Sequence, residues 1–406
     1  MTIDVTALWQ TSHQHLQPYE VPAEGFNSSS RSVGSVLANL RFAGFHWVEK
    51  VEINYQHNPL RFWIEDTEIV RISKALPYLK QHLPDQIDAR LWTRDITMIN
   101  IEPTTRCNFS CWYCVGRQMV QEDIDPDNFP RLLANFPNLK TIALVGEGEP
   151  LMHKGFFSMA RQARDHGARV LIISNGSTLS SSVVRQLCES EVAYVAISID
   201  SIDPDTFARS RLGGDLNQVW RGIERLRKYR DDNGYRYPKI ALKGTLFSYS
   251  QHDLSTIVRE AFSRGVEIFE SFQALNPKES YVKFYPKDAL QEVTMAPEVS
   301  AIMGRDLANF INPMKTFESF CLEEGIEIPT SKSNRLRKNC DETWLYALLS
   351  GDITPCCQVK QSPSDHWNVF TRTVDSILSD ASYENLRFNL WNGLFPTFCK
   401  SCWKTR

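Results

Sequence analysis

Thr105-Arg106-Cys107-Asn108-Phe109-Ser110-Cys111-Trp112-Tyr113-Cys114 carries three cysteines at x3 and x2 spacing, directly after an apolar, β-branched run at 97–102. Iron-sulfur clusters are ordinarily held by four cysteine thiolates, so three on a cubane leave one iron open to an exogenous ligand. The same spacing also fits a zinc knuckle with a distant fourth ligand, or three core thiols. The chain on either side of the loop decides the fold. From about residue 97 to 275, short apolar runs alternate with longer amphipathic stretches. The periodicity predicts strands at 97–102, 141–145, 169–173, 194–199, 239–246 and 267–272. Between them it predicts helices at 128–136, 155–166, 180–189, 216–229 and 254–264, several preceded by Asp or Ser caps. Runs such as Ile142-Ala143-Leu144-Val145 are apolar on both faces, the pattern of parallel strands covered by helices. The fold class expected is α/β: a partial (β/α)6 TIM-like barrel. Barrels of this kind place active sites at the carboxyl ends of their strands, where the three-cysteine loop falls.

The 406 residues are 42% hydrophobic and 23% charged, ordinary globular usage that excludes a disordered or collagen-like chain. Lys plus Arg number 45 against 48 Asp plus Glu, so whole-chain charge gives no support for a nucleic-acid partner. No apolar run approaches the roughly 18 residues that cross a bilayer. Met1-Thr2-Ile3-Asp4-Val5-Thr6 has neither the basic nor the apolar part of a signal peptide. A soluble, cytoplasmic protein without a membrane partner is expected. In a reducing compartment, the ten cysteines are more often ligands or catalysts than disulfides.

Residues 1–95 read as an α+β accessory region for substrate or leader recognition. Val51-Glu52-Ile53-Asn54-Tyr55 and Leu60-Arg61-Phe62-Trp63-Ile64 alternate about His57-Asn58-Pro59. They predict a hairpin, followed by a helix over 68–82 that Pro77 would kink, with a loop over 24–34 before them. The core barrel spans 96–275. A mostly helical connector runs over 276–339 with an exposed loop at 331–338, and a small cysteine-bearing domain covers 340–406. There, Trp344 to Leu349, then Ser350-Gly351-Asp352 and Ile353-Thr354-Pro355, read as a hairpin that brings Cys340 and Cys356 together. Cys399-Lys400-Ser401-Cys402 can close a four-cysteine site with them, which suits structural zinc or an iron-sulfur cluster.

The CxxxCxxC loop, with an aromatic residue before its last cysteine, resembles that of the radical SAM superfamily. Further agreements stand at successive strand ends. Gly146-Glu147-Gly148-Glu149-Pro150 is similar to the family's glycine-glutamate-proline motif. Ser174-Asn175-Gly176 resembles its ribose-contacting segment, and Ser198-Ile199-Asp200-Ser201 its serine and aspartate on the fourth strand. The resemblance implies a 4Fe-4S cluster on Cys107, Cys111 and Cys114 that chelates S-adenosylmethionine (SAM) at the open iron. An electron cleaves the sulfonium to methionine and a 5'-deoxyadenosyl radical, which removes a hydrogen atom from substrate. The implied SAM-binding residues are Tyr113, Gly146, Gly148, Glu149, Pro150, Ser174, Asn175, Ser198 and Asp200. Glycines there would let backbone approach the methionyl group, and a carboxylate would accept its ammonium. Lys243 and Gln273 take inward register positions as pocket residues, and His153 reads as a rim or surface histidine.

The C-terminal region resembles the SPASM/twitch domain, in which a cysteine, a spacer, a glycine, four residues and a cysteine open the pattern, here Cys340, Gly351 and Cys356. The resemblance implies one auxiliary 4Fe-4S cluster on Cys340, Cys356, Cys399 and Cys402, with Cys357 able to replace Cys356. Cys188 and Cys321 read as core thiols. The catalytic alternative has Cys321 or Cys357 donating a hydrogen atom to a substrate radical. The substrate class implied is a precursor peptide, ribosomally made and cross-linked, epimerised or oxidised as in natural product biosynthesis. A small-molecule substrate (sugar, aminoglycoside or nucleoside) is the enzymatic alternative, and a non-catalytic zinc scaffold the alternative of another class. The reducing partner implied is a flavodoxin or ferredoxin.

Overall fold

The structure is a computed structural model. It describes residues 4–8, 50–55, 58–63, 90–91, 96–274, 311, 314–326, 345–357, 359–378, 380, 382–383, 386, 390 and 395–399. The expected loop at 24–34, the helix at 68–82 with Pro77, most of the 276–339 connector including its 331–338 loop, Cys340 and Cys402 lie outside these residues. Two compact units emerge, one of 97–330 with 344–371, the other of 1–96 with 331–343 and 372–406.

The smaller unit holds the first four strands: β1 (Asp4–Leu8), β2 (Lys50–Tyr55), β3 (Asn58–Trp63) and β4 (Arg90–Leu91), in the order β3-β2-β1-β4. There β2 and β3 pair antiparallel, which is the hairpin expected about Asn58-Pro59. The larger unit is built on β5 (Met98–Ile101), β6 (Thr141–Leu144), β7 (Arg169–Ser174), β8 (Tyr194–Ser198), β9 (Lys239–Leu246) and β10 (Ile268–Ala274). The strands β5 to β10 run parallel, each beside the next in sequence. Every residue of β6 and β8 is buried, as double-sided cover requires.

Helices α1 (Asn128–Asn135), α2 (Phe156–Asp165), α3 (Ser181–Glu189), α4 (Pro204–Ser210), α5 (Leu216–Asp232) and α6 (Leu254–Ser263) occupy the crossovers. In α6, Leu254, Ile257, Val258 and Ala261 recur at i, i+3, i+4 and i+7 and are buried. Each large aliphatic among them contributes about 1.5–3 kcal/mol of burial. The helix α4 is additional to the expected set, although Asp203-Pro204 carries its start signal: the Asp203 carboxylate caps Thr206 N at 2.8 Å.

Two additions extend the sheet past the six expected strands. β11 (Lys315–Thr316) lies parallel to β10 at one edge. At the other, β12 (Leu345–Ala347) lies parallel to β5 and is followed antiparallel by β13 (Ile353–Thr354), giving nine strands. Gly351 turns between them at φ 85°, where a Cβ would also sit 2.3 Å from the Phe370 ring. The hairpin drawn from the sequence therefore forms, and forms as an edge of the barrel sheet.

Helix α7 (Phe317–Glu324) closes the barrel interior at the amino-terminal strand ends. Its Phe320 and Cys321 pack with Ala143, Leu171, Tyr194, Ala196, Ala241 and Ile268. Tyr194 stacks on Phe320 at 5.1 Å, and Glu324 accepts from Arg236 at 2.9 Å. With one end filled by apolar side chains, the carboxyl ends are left for chemistry.

Candidate active site

Immediately after β5, Glu102, Thr104 and Thr105 are buried, and the two threonines tie the chain to the returning segment 120–124. Thr104 Oγ1 donates to Asp123 Oδ1 at 2.6 Å, Thr105 Oγ1 to Val120 O at 2.7 Å, and Ile124 N to Pro103 O at 2.9 Å. The Arg106 guanidinium pairs with Asp123. These bonds close a loop of fixed shape that presents Cys107, Cys111 and Cys114, all partly accessible. Phe109, wholly buried, anchors its middle, and Ser110 N donates to Leu212 O at 2.7 Å.

The strand ends after β6, β7 and β8 hold this loop from the side. Asn175, past β7, donates through Nδ2 to Asn108 Oδ1 at 2.9 Å and reaches Cys107 Sγ at 3.7 Å. Glu147, past β6, receives Cys114 Sγ at its Oε2 at 3.5 Å. Asp200, past β8, accepts from Tyr113 Oη at 3.1 Å. Thus residues from the ends of β6, β7 and β8 converge on the cysteine loop that follows β5, and the strand register is what brings them there.

Several of them are turned toward protein. Gly146 and Gly148, where the family resemblance implies close backbone approach to the methionyl group, also pack closely against protein. Cβ atoms there would lie 2.1 Å from Glu102 Cγ and 2.4 Å from Thr104 O. Glycine lets the β6 exit press against the cysteine loop's own backbone at 148 and against the Glu102 side chain at 146. Glu149 is likewise occupied, accepting from Leu151 N at 3.3 Å, Ser174 Oγ at 2.9 Å and Asn175 N at 2.6 Å, so it staples the β6 exit to the β7 exit. Pro150, buried, starts the short 3-10 turn that Glu149 caps. Asp200 is satisfied by Tyr113, Ser210 Oγ at 3.1 Å, Arg211 Nη2 at 2.9 Å and Thr245 N at 2.8 Å. It fixes the Tyr113 ring, which packs on Phe247 at 5.2 Å. Ser198 is buried at the end of β8.

Burial pushes the Glu149 carboxyl up to about 7 from 4.5, against the pull of its three donors. A folded-state value above the unfolded one means that the folded chain holds the proton more tightly. Its stabilising contribution is full below pH 4.5 and is lost as pH rises through about 7. At about 1.4 kcal/mol per unit, that amounts to about 3 kcal/mol across the window. Melting curves between pH 4.5 and 8 should show the wild type losing stability relative to Glu149→Gln. Parallel curves would contradict the assignment.

His153 is not at the rim, which corrects that expectation: it is buried, with Gly155 N donating to Nδ1 at 2.9 Å and Nε2 3.2 Å from Ile124 O. Nδ1 acts as acceptor, so the proton sits on Nε2 and the ring fastens a loop. Cys321 lies in the apolar floor described above, and Cys188 is buried in α3, positions that suit packing thiols. Cys357 is exposed and Cys356 half-buried after β13, while Cys399 is buried in the smaller unit. Lys243 pairs with Glu270 and lies 3.3 Å from Ser271 Oγ.

A second group was missed from the sequence. Lys360, after β13, pairs with Glu147 Oε1 at 2.6 Å and donates to Tyr346 Oη at 3.4 Å. Tyr346, on β12, donates to Glu102 Oε1 at 3.4 Å, and Glu102 also accepts Glu147 N at 2.9 Å. Glu102 Oε2 is buried without a hydrogen-bond partner, and burial raises its carboxyl above the ordinary value. No local motif announces this cluster, because its four members span 102 to 360. Two members carried a signal of their own: Glu102 as a polar residue immediately after an apolar strand, and Glu147 as part of the 146–150 motif.

The donor set of the three thiols decides which metal group suits them. Among the described residues, no three His, Cys, Asp or Glu side chains form a group that could hold a single metal ion. A four-iron cluster asks for something different, since each thiolate binds its own iron. Three partly accessible thiols on one braced loop fit that demand. Burial pushes Cys111 up to about 11 and Cys114 up to about 12, so binding a metal there would release their protons.

Residues 101–238 match the family model described as the Radical SAM superfamily, so the chain carries a radical SAM domain. Among curated relatives, it is 31% identical over 173 residues to the tungsten-containing aldehyde ferredoxin oxidoreductase cofactor-modifying protein of Pyrococcus furiosus. That match covers 41% of this chain and 48% of the relative. It is 33% identical over 188 residues to a GTP 3',8-cyclase of Pseudomonas putida (strain ATCC 700007 / F1), covering 44% of this chain and 53% of that one. The chain thus spans about half the length of these curated relatives. In fold it is similar to Streptococcus suis SuiB bound to S-adenosylmethionine, with a TM-score of 0.54, 14% identity, and 81% and 75% of the two chains covered. It is also similar to anSMEcpe with bound AdoMet and Cp18Cys peptide, with a TM-score of 0.54, 17% identity, and 72% and 83% covered. At these identities the likeness is one of fold, that of an α/β partial barrel.

Proposed function

We propose that this chain, with a radical SAM domain as its core, is an enzyme that binds a 4Fe-4S cluster through Cys107, Cys111 and Cys114. One observation carries the reading: three partly accessible thiols share one braced loop at the carboxyl end of the first barrel strand, inside the matched segment. When bound, the cluster and SAM supply a reductively generated 5'-deoxyadenosyl radical that removes a hydrogen atom from substrate. The protein's part is to hold the cofactors. Asn175 and Glu147 brace the loop, Asp200 fixes Tyr113 beside it, and the apolar floor excludes water from the far end of the barrel. A ferredoxin or flavodoxin is the proposed electron donor.

The experiment is anaerobic. Reconstituted protein is assayed for iron and sulfide, then given dithionite and SAM. Cluster iron together with 5'-deoxyadenosine supports the reading. Zinc without sulfide and no deoxyadenosine would favour a scaffold. About eight irons per chain would support the auxiliary cluster proposed from the spacing of Cys340, Cys356, Cys399 and Cys402, and about four would remove it.

For substrate we propose a ribosomally made peptide, on the resemblance of the C-terminal cysteine pattern to that of peptide maturases. A small molecule is the second reading, favoured by the relatives named as GTP 3',8-cyclases. Deoxyadenosine formation stimulated by GTP would support the second; stimulation by a synthetic peptide encoded beside the gene would support the first.

A further inference from the structure

Of the group formed by Glu102, Glu147, Tyr346 and Lys360, only Glu147 belongs to the cofactor-holding set described so far, through its contact with Cys114. The Lys360 ammonium is nearly enclosed, its side chain 10% exposed. It meets Glu147 Oε1 at 2.6 Å, the Tyr346 hydroxyl at 3.4 Å and the Tyr346 ring face at 4.9 Å. The other oxygen of the same carboxylate, Glu147 Oε2, lies 3.5 Å from Cys114 Sγ. Arg117 is the remaining cation nearby; its Nη2 donates to Glu147 O at 3.1 Å and to Thr105 O at 2.7 Å.

A cysteine that binds iron does so as a thiolate. At Cys114, that thiolate would lie against a buried carboxylate, a like-charge contact that low-dielectric surroundings make costly. The cation in direct contact with that carboxylate's side chain is Lys360, brought into reach by the pairing of β12 with β5. We propose that Lys360 is a positioning residue for the cluster loop: it holds the Glu147 carboxylate and cancels its charge at Cys114, raising the reduction potential of the cluster there. The proposal rests on the radical SAM reading above.

Reduction adds one electron to the cluster, so nearby positive charge favours the reduced form and nearby negative charge opposes it. Lys360 and Glu147 must therefore act with opposite signs. The experiment is a redox titration of the reconstituted full chain, followed by electron paramagnetic resonance of the signal that SAM perturbs, which selects the three-cysteine cluster. Lys360→Met is expected to shift the midpoint potential negative, Glu147→Gln to shift it positive, and Lys360→Arg to stay near wild type. A role confined to folding would not move the two potentials in opposite directions. If Lys360→Met does not accumulate, the positive shift of Glu147→Gln and the wild-type value of Lys360→Arg carry the test. Potentials equal to wild type in Glu147→Gln and Lys360→Met, with the cluster present and SAM cleaved, would overturn this inference alone. A wild-type chain that assembles no cluster would overturn the radical reading and the inference with it.

Discussion

Replacing Cys107, Cys111 and Cys114 together by Ala should remove cluster iron from the barrel and reduce 5'-deoxyadenosine formation to background, while the barrel remains folded. All three thiols are partly accessible, and none belongs to the apolar core. The loop's shape rests on backbone and threonine bonds to segment 120–124, on the buried Phe109 ring and on Asn108; the substitutions remove only the long sulfur contacts of Cys107 with Phe109 N and Asn175 and of Cys114 with Glu147. The cost in fold stability is therefore expected within about 1 kcal/mol of wild type in the metal-free chain, as for surface changes without cavity formation. Circular dichroism and thermal melting check the fold, and iron, sulfide and nucleoside assays check the site. Deoxyadenosine still formed by the triple variant would refute the assignment of these ligands.

Asp200→Ala is expected to cost about 3–5 kcal/mol of stability, because it strands the buried Arg211 charge. Asp200 is wholly buried and Arg211 7% exposed, and Arg211 Nε already lacks a hydrogen-bond partner. The same carboxylate also accepts from Tyr113, Ser210 and Thr245 N, so its removal takes an acceptor from four donors, of which Ser210 Oγ keeps Phe207 O at 3.1 Å. For a unit of this size, such a loss lowers the melting temperature by roughly 10 °C, at about 2–4 °C per kcal/mol. Asp200→Asn keeps acceptor oxygen while dropping the charge, and should fall between wild type and Ala. A melting temperature unchanged in Asp200→Ala would mean that Arg211 reaches water, contrary to the structure. A cofactor-contacting role for Asp200 would instead appear as weaker SAM binding in Asp200→Asn at unchanged stability.

Strand positions were legible almost to the residue. β9 spans 239–246 as the apolar alternation predicts, and β6 and β7 fall within one residue of expectation. The reason is local: a strand buried on both faces needs a continuous apolar run, and the crossover helices need a periodic stripe, so each writes its pattern into consecutive residues. The three-cysteine loop was legible for the same reason, since its cysteines are separated by three and two residues and need no tertiary partner to be recognised.

The directions of the polar side chains were not legible. Glu149 and Asp200 stand where the motif pattern put them, yet each carboxylate is taken up by donors from neighbouring strand ends and from the loop after α4. Nor did the residues near 147 and 360 suggest that Lys360 would meet Glu147. That pairing depends on β12 choosing the free edge of β5, a choice made by sheet register between strands far apart along the chain. The consecutive residues thus specified the barrel and the place of its cysteine loop, because backbone hydrogen bonding and burial act over short spans. Which charges surround that loop was settled by folding, because electrostatic neighbours in a buried site are chosen by which strand ends adjoin, whatever their separation along the chain.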